Sequence, residues 1–124
     1  MAEGWIAAKA NSVLDAALAA YPFMQLHTGA PGAAGTSNVA TNSTRKDTTG
    51  KWAAASGGVA ASNATIGPWA SVPATETYTK CSFWTLASGG TCGLTGTITG
   101  GAVTSGNDFD IPSGSATATL TVAS

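Results

Sequence analysis

The sequence predicts a mainly β protein, an antiparallel β-sandwich of jelly-roll-like type with one N-terminal α-helix, in a single domain over residues 1–124. Three observations carry that expectation. Helical periodicity is confined to residues 3–20, where Ile6, Ala10, Val13, Leu14, Ala17, Leu18 and Tyr21 recur at spacings of three and four. From Lys51 onward, short Thr-, Ala- and Val-rich runs are separated by Gly- and Pro-bearing turn signals. A length of 124 residues suits one modest core and is too short for two.

Within 3–20, Lys9, Asn11, Ser12 and Asp15 fall on the face opposite the apolar stripe. The interior is alanine-rich, with no Pro or Gly between Trp5 and Tyr21, so propensity agrees with pattern. Pro22 cannot continue the helix and pushes Tyr21 towards extended geometry. A first strand is predicted over 23–28, with Met24 and Leu26 facing the core and Gln25 and His27 the other way. Leu26, His27, Thr28 and Gly29 then lead into Pro31-Gly32, which suits the central positions of a type II turn. Residues 29–50 contain almost no large apolar side chain except Val39, so they are expected to form a long Gly/Ser/Thr-rich loop or arm.

Antiparallel strands are expected across 51–123, at 51–55, 61–66, 77–86, 93–99, 108–111 and 116–122. Their separators are Ser56-Gly57-Gly58, Gly67-Pro68, Ser88-Gly89-Gly90, Gly100-Gly101 and Pro112-Ser113-Gly114. The last strand alternates Ala116, Ala118, Leu120 and Val122 against Thr117, Thr119 and Thr121. Trp52, Trp69, Phe83 and Trp84 are the large side chains available to anchor an alanine-rich core. Their placement on separate strands, with no interleaved basic residues, favours a core role over a stacking platform for sugars or bases.

Charged residues make up 9% of the chain, against about 25% in an average soluble domain. A surface so poor in charge suits a subunit covered by neighbouring copies. With a net charge of −1, no general attraction to nucleic acid or anionic lipid is expected. Arg45, Lys46 and Lys51 form one small basic patch interrupted by Asp47, read as a solvated loop. No apolar run reaches the roughly 18 residues of a membrane span, and the N-terminus lacks the layout of a secretion signal. Cys81 and Cys92 are too few for a disulfide framework or a zinc site. They are expected to be small unpaired hydrophobes, with Cys92 opposite about Leu86.

The residues offer little to catalysis. His27 is the only histidine, and Glu3, Asp15 and Asp47 have no evident reason to approach it. A strand-end histidine bonding the backbone of a turn is the expectation. Asn107-Asp108-Phe109-Asp110 lacks the pivoting glycine and distal Glu of a calcium loop, and reads as a turn before an edge strand. Gly29, Gly32 and Gly35 lack the Lys-Ser/Thr of a phosphate loop. No enzyme activity, cofactor or metal is expected.

Leu26-His27-Thr28-Gly29-Ala30-Pro31-Gly32, followed by Gly35-Thr36-Ser37-Asn38, resembles the motif of small tailed-phage virion proteins common in phages of actinobacteria. That motif reads approximately LHTGDPG followed by GTANE. Tyr78-Thr79-Lys80-Cys81-Ser82-Phe83-Trp84-Thr85 with Gly89-Gly90 looks like the same family's V-T-H-F-G-L-F-D … GG hairpin. Gly106-Asn107-Asp108-Phe109-Asp110-Ile111-Pro112-Ser113-Gly114 looks like its G-D-x-x-x-I-P-A-G ending. Ala30 and Val39 stand where that family has Asp and Glu, and its G-G-x-Y-A-R segment survives only loosely in Asn42-Ser43-Thr44-Arg45.

The resemblance implies a structural virion protein without enzyme activity. The leading form is a capsid decoration (cement) protein, made in the host cytoplasm and seated on the capsid exterior. Its partners would be the major capsid protein and copies of itself, in a homo-oligomer such as a trimer, with no nucleic acid and no membrane. The alternative is a minor tail or tail-fibre protein that touches the host surface. A carbohydrate-binding β-sandwich domain stands third.

Overall fold

Helix α1 spans Ala7–Ala20, four residues shorter at its start than the periodicity suggests. Ile6 is already extended (φ −68°, ψ 134°) and its carbonyl accepts the first helical bonds, from Lys9 N at 3.0 Å and Ala10 N at 2.9 Å. No side chain caps this end, and Gly4 disfavours a further turn. Ala10, Leu14 and Leu18, four residues apart, form the buried stripe, while Ile6 is 72% exposed. Tyr21 N bonds Ala17 O at 2.8 Å and Pro22 stops the helix there.

The structure, a computed structural model, describes residues 3–120. Ten strands follow the helix: β1 (Phe23–His27), β2 (Lys46–Asp47), β3 (Val59–Ala61), β4 (Ile66–Trp69), β5 (Glu76–Thr77), β6 (Lys80–Trp84), β7 (Cys92–Ile98), β8 (Ala102–Val103), β9 (Phe109–Ile111) and β10 (Ala116–Thr119). Six of them make one antiparallel sheet in the order β2-β1-β6-β7-β10-β3, and two small ladders, β4–β9 and β5–β8, complete the fold. The mainly β, antiparallel class with one N-terminal helix is therefore the one the sequence predicts.

The register sorts the large sheet into two faces. Met24, Leu26, Cys81, Phe83, Ile98, Ala116, Ala118 and Ala60 belong to one buried cluster with Leu14 and Leu18 of α1 and with Trp69, Tyr78, Phe109 and Ile111 of the ladder region. On the other face, His27, Lys80, Thr97, Thr117 and Ala61 lie in one cross-strand row. Both faces of β1 and β6 are buried near their centres, since Gln25, His27 and Ser82 are as inaccessible as their apolar neighbours.

Several element boundaries differ from the sequence reading, each for a local reason. Residues 51–55 make only one bridge, Trp52 to Ser62, with Ala53 N on Ala61 O at 3.0 Å; they close the free edge of β3. The strand expected at 61–66 ends at Ala61, because Ser62 Oγ accepts the amides of Gly114 (3.1 Å) and Ala116 (3.4 Å) and the chain turns away. Gly67-Pro68, expected as a separator, lies inside β4. Ile66 pairs Ile111 and Trp69 pairs Phe109, so these two residues bulge out of the ladder, where proline's missing N–H costs nothing. Their peptide bond is cis.

The strand expected at 77–86 is two strands. Tyr78 N bonds Gly101 O at 2.9 Å while Thr79 N bonds His27 O at 3.0 Å, so the chain changes ladders between them. Cys92 pairs with Trp84 rather than Leu86, and Gly93 is the extra residue of a bulge before Leu94. Neither Lys46–Asp47 nor Ala102–Val103 is long enough to show a period. The last strand alternates as expected through Thr119, while Thr121 and Val122 lie outside the described residues.

The largest difference concerns 29–50. It is no free arm but a strap lying on the sheet. Thr28 N bonds Asn38 O (3.0 Å), Ala40 N bonds Leu26 O (3.1 Å), and Val39 bridges His27. Further along, Lys46–Asp47 pairs with β1, and Trp69 Nε1 donates to Thr44 O at 2.8 Å. A polar segment can be ordered this way because its backbone groups find partners that its side chains cannot supply by burial.

Candidate functional site

The expected turn of Leu26, His27, Thr28, Gly29, Pro31 and Gly32 is the point where the strap leaves the sheet. Leu26 and His27 are fully buried at the end of β1, Pro31 is buried, and Gly32 takes the left-handed conformation (φ 77°) that a turn requires. Ser37 N closes the turn on Pro31 O at 2.9 Å, and Asn38 Nδ2 donates to Ala30 O at 2.9 Å.

His27 sits beneath this turn with both ring nitrogens engaged. Nδ1 is 2.8 Å from Ser37 O, and Nε2 is 2.7 Å from Ser82 Oγ. A carbonyl only accepts, so Nδ1 carries the proton and Nε2 of the neutral ring accepts from the Ser82 hydroxyl. Ser82 Oγ in turn accepts from Trp84 Nε1 at 2.7 Å. The donors run Trp84 to Ser82 to His27 to Ser37 without a break. Burial lowers the His27 pKa from its ordinary value, against the opposing pull of the Ser37 and Asn38 carbonyls. With neither nitrogen free and both partners neutral, this arrangement orients a loop and offers no base to a substrate.

A second anchor holds the β6–β7 connection. Arg45 lies 4.0 Å over the Trp84 ring and donates from one terminal nitrogen to Leu86 O (2.9 Å) and Gly89 O (2.6 Å). The basic patch of the sequence is thus not a solvated cluster: Arg45 is a clamp and Lys46 a strand residue. Asp47 Oδ1 accepts from Thr49 N (2.9 Å) and Thr49 Oγ1 (2.6 Å), which holds its carboxyl below the usual range. Beyond the strap, both Glu76 carboxylate oxygens accept from Thr41 N at 3.1 Å.

Of the aromatic anchors, Trp69 and Phe83 are fully buried, and Trp84 is nearly so beneath Arg45. Trp52 is half-buried, packed edge-on against Phe83 at 5.5 Å, with its Nε1 on Thr48 Oγ1 at 3.1 Å. It lines a groove of about 300 Å³ together with Asp15, Leu18 and Thr49. A more polar groove of about 420 Å³ lies between the Pro31-Gly32 turn and Lys80, Thr95, Thr97, Thr117 and Thr119. Cys81 and Cys92 are both unpaired, and burial pushes the Cys81 thiol up to about 12. Asp108 Oδ1 accepts from Ser71 N at 2.9 Å, an anchor within the turn before β9. Among the described residues no three His, Cys, Asp or Glu side chains group to hold a metal, and no helix is long and apolar enough to cross a membrane.

Ser37, Ser82 and Glu76 are given no role by the sequence, and Arg45 is read from it only as part of a solvated patch. A serine between Cys81 and Phe83, on a strand whose inner residues are otherwise apolar, was the one available signal.

A strapped antiparallel sheet whose polar side chains are spent on its own loops is the build of a structural module. The family described as Podophage GP4 fiber I protein gp80 matches residues 5–119, nearly the whole chain. The chain belongs to that family and is a structural phage virion protein. The match supports neither the actinobacteriophage-type family nor its LHTGDPG motif. Neither the curated proteins nor the solved structures yield a match.

Proposed function

We propose that the chain is a non-enzymatic subunit of a fibre carried on the tail of a phage, where it assembles with copies of itself and takes part in contact with the host surface. The family match over residues 5–119 to a fiber protein carries this reading and favours it over a cement protein on the capsid exterior. The commitment of both His27 nitrogens to Ser37 and Ser82 supports the absence of catalysis. The low charge content, with Trp5 42% and Ile6 72% exposed beside α1, supports contacts between copies.

Copy number and position test the assignment together. Quantitative mass spectrometry of purified virions is expected to give few copies per particle, and antibody-labelled virions in negative stain are expected to carry label at the tail. Copies as numerous as the capsid subunits, with label over the head, would restore the decoration role and remove the fibre one.

A further inference from the structure

The strap holds to the sheet mainly by polar contacts. Between Thr28 and Ala40 the one large aliphatic side chain is Val39, and it is 39% exposed. What it covers is specific: a Cβ on Gly35 would stand 2.6 Å from Cys92 Sγ and 3.5 Å from the Trp84 ring, so the strap lies directly on both. His27 ties it down, through Ser37 on the strap side and Ser82 and Trp84 on the sheet side.

We propose that His27 is a pH-sensitive latch, and that its protonation in acid releases the 28–40 strap from the sheet. A proton taken from solvent at Nε2 turns that nitrogen from acceptor to donor. Ser82 Oγ already accepts from Trp84 Nε1, so the hydroxyl proton that had pointed at His27 loses its acceptor inside a buried cluster. The charged groups nearby make the new cation worse. Lys80 is the cross-strand partner of His27, and Arg45 lies over the Trp84 ring. The strap itself contributes no titratable side chain between Thr28 and Thr44. The thiol of Cys81 faces the opposite side of the sheet, and that of Cys92 lies under the strap. Glu76 bonds the chain just beyond this segment, and its carboxylate is spent on Thr41. Released, the strap gives His27 to water, where protonation is unopposed.

The sign follows from linkage. The closed state binds the proton more weakly than the open one, so opening is favoured as pH falls below the ordinary histidine pKa of about 6.5 and levels off once the closed form is also protonated. This device is independent of where on the virion the protein sits.

The two cysteines supply the test. The full chain is labelled at pH values from neutral to mildly acidic with a pyridyl disulfide, which remains reactive towards thiols in acid. The product is mapped by peptide mass, and rates are normalised to the unfolded chain. Cys92 labelling is expected to accelerate by up to about tenfold per pH unit below pH of about 6.5, while Cys81 stays protected. Glu76→Gln should keep that pH dependence and His27→Gln should abolish it. Equal acceleration at Cys81 would mean global unfolding, and a flat Cys92 profile would mean no latch; either overturns the proposal, as does loss of the effect in Glu76→Gln. If His27→Gln does not fold, amide exchange in the unaltered protein decides. Thr28 and Ala40 must open in acid while the amides of Phe83 and Ile98 do not.

Discussion

Ser82→Ala removes one oxygen atom and tests the hub on which strap and sheet meet. Ser82 is wholly buried, and its Oγ serves two buried groups, accepting from Trp84 Nε1 and donating to His27 Nε2, each at 2.7 Å. The deletion leaves almost no cavity, so the cost is that of two orphaned polar groups. At roughly 1–3 kcal/mol each, less the relief of not burying a hydroxyl, the expected loss is about 2–4 kcal/mol. Domains of this kind are stable by only about 5–15 kcal/mol, so the loss is large. Urea unfolding followed by tryptophan fluorescence should show a midpoint lower by about 1–2 M at an unchanged slope of about 2 kcal/mol per M. A double-mutant cycle with Trp84→Phe should recover about 1 kcal/mol or more of coupling, since the second orphan is then absent. A loss below about 0.5 kcal/mol, or additivity in the cycle, would refute the assignment of Ser82 as the shared partner.

Arg45→Ala should destabilise by about 1–2 kcal/mol through loss of the Trp84 stack and the two carbonyl bonds, and limited proteolysis should then cut first within residues 86–90. Arg45→Lys should restore little, because an ammonium cannot stack as a plane. Gly96→Ala should lower the melting temperature by several degrees or prevent folding, since its Cβ would stand 2.6 Å from Thr117 O and 3.0 Å from Cys81 Sγ. At neutral pH, an alkylating reagent should modify Cys92 slowly and Cys81 only in denaturant, because burial keeps the Cys81 thiol protonated.

What could be read without coordinates was whatever repeats along the chain. The stripe of Ala10, Leu14 and Leu18 and the alternation of Ala116 and Ala118 against Thr117 and Thr119 are periodic, and both faced as their period required. The misread places are those where one residue's partner lies far off in sequence. Tyr78 and Thr79 look like the start of one continuous alternating strand over 77–86, yet Gly101 and His27 draw them to different ladders. A Cβ on Gly101 would collide with the Tyr78 carbonyl, so the corner needs glycine there, and no local pattern announces it. Gly67-Pro68 is a turn signal by composition and a bulge in fact, because β9 lies alongside.

Sequence alone determined the class of this protein: one helix, many short antiparallel strands, unpaired cysteines and a histidine at a strand end beside a Pro-Gly turn. These follow from local propensity and period, which each residue expresses with its near neighbours. Tertiary structure decided what the polar residues are for. Residues 29–50 have too little apolar surface to bury, which predicts a loop. That loop becomes a strap because Leu26, His27, Glu76 and Pro22 present partners for its backbone and side chains from elsewhere in the chain. Hydrogen bonds are directional and short-ranged, so which of them form depends on the assembled sheet. His27 bonds the backbone of the turn, as its place at a strand end suggests, and its second nitrogen ties that turn to Ser82 on the neighbouring strand.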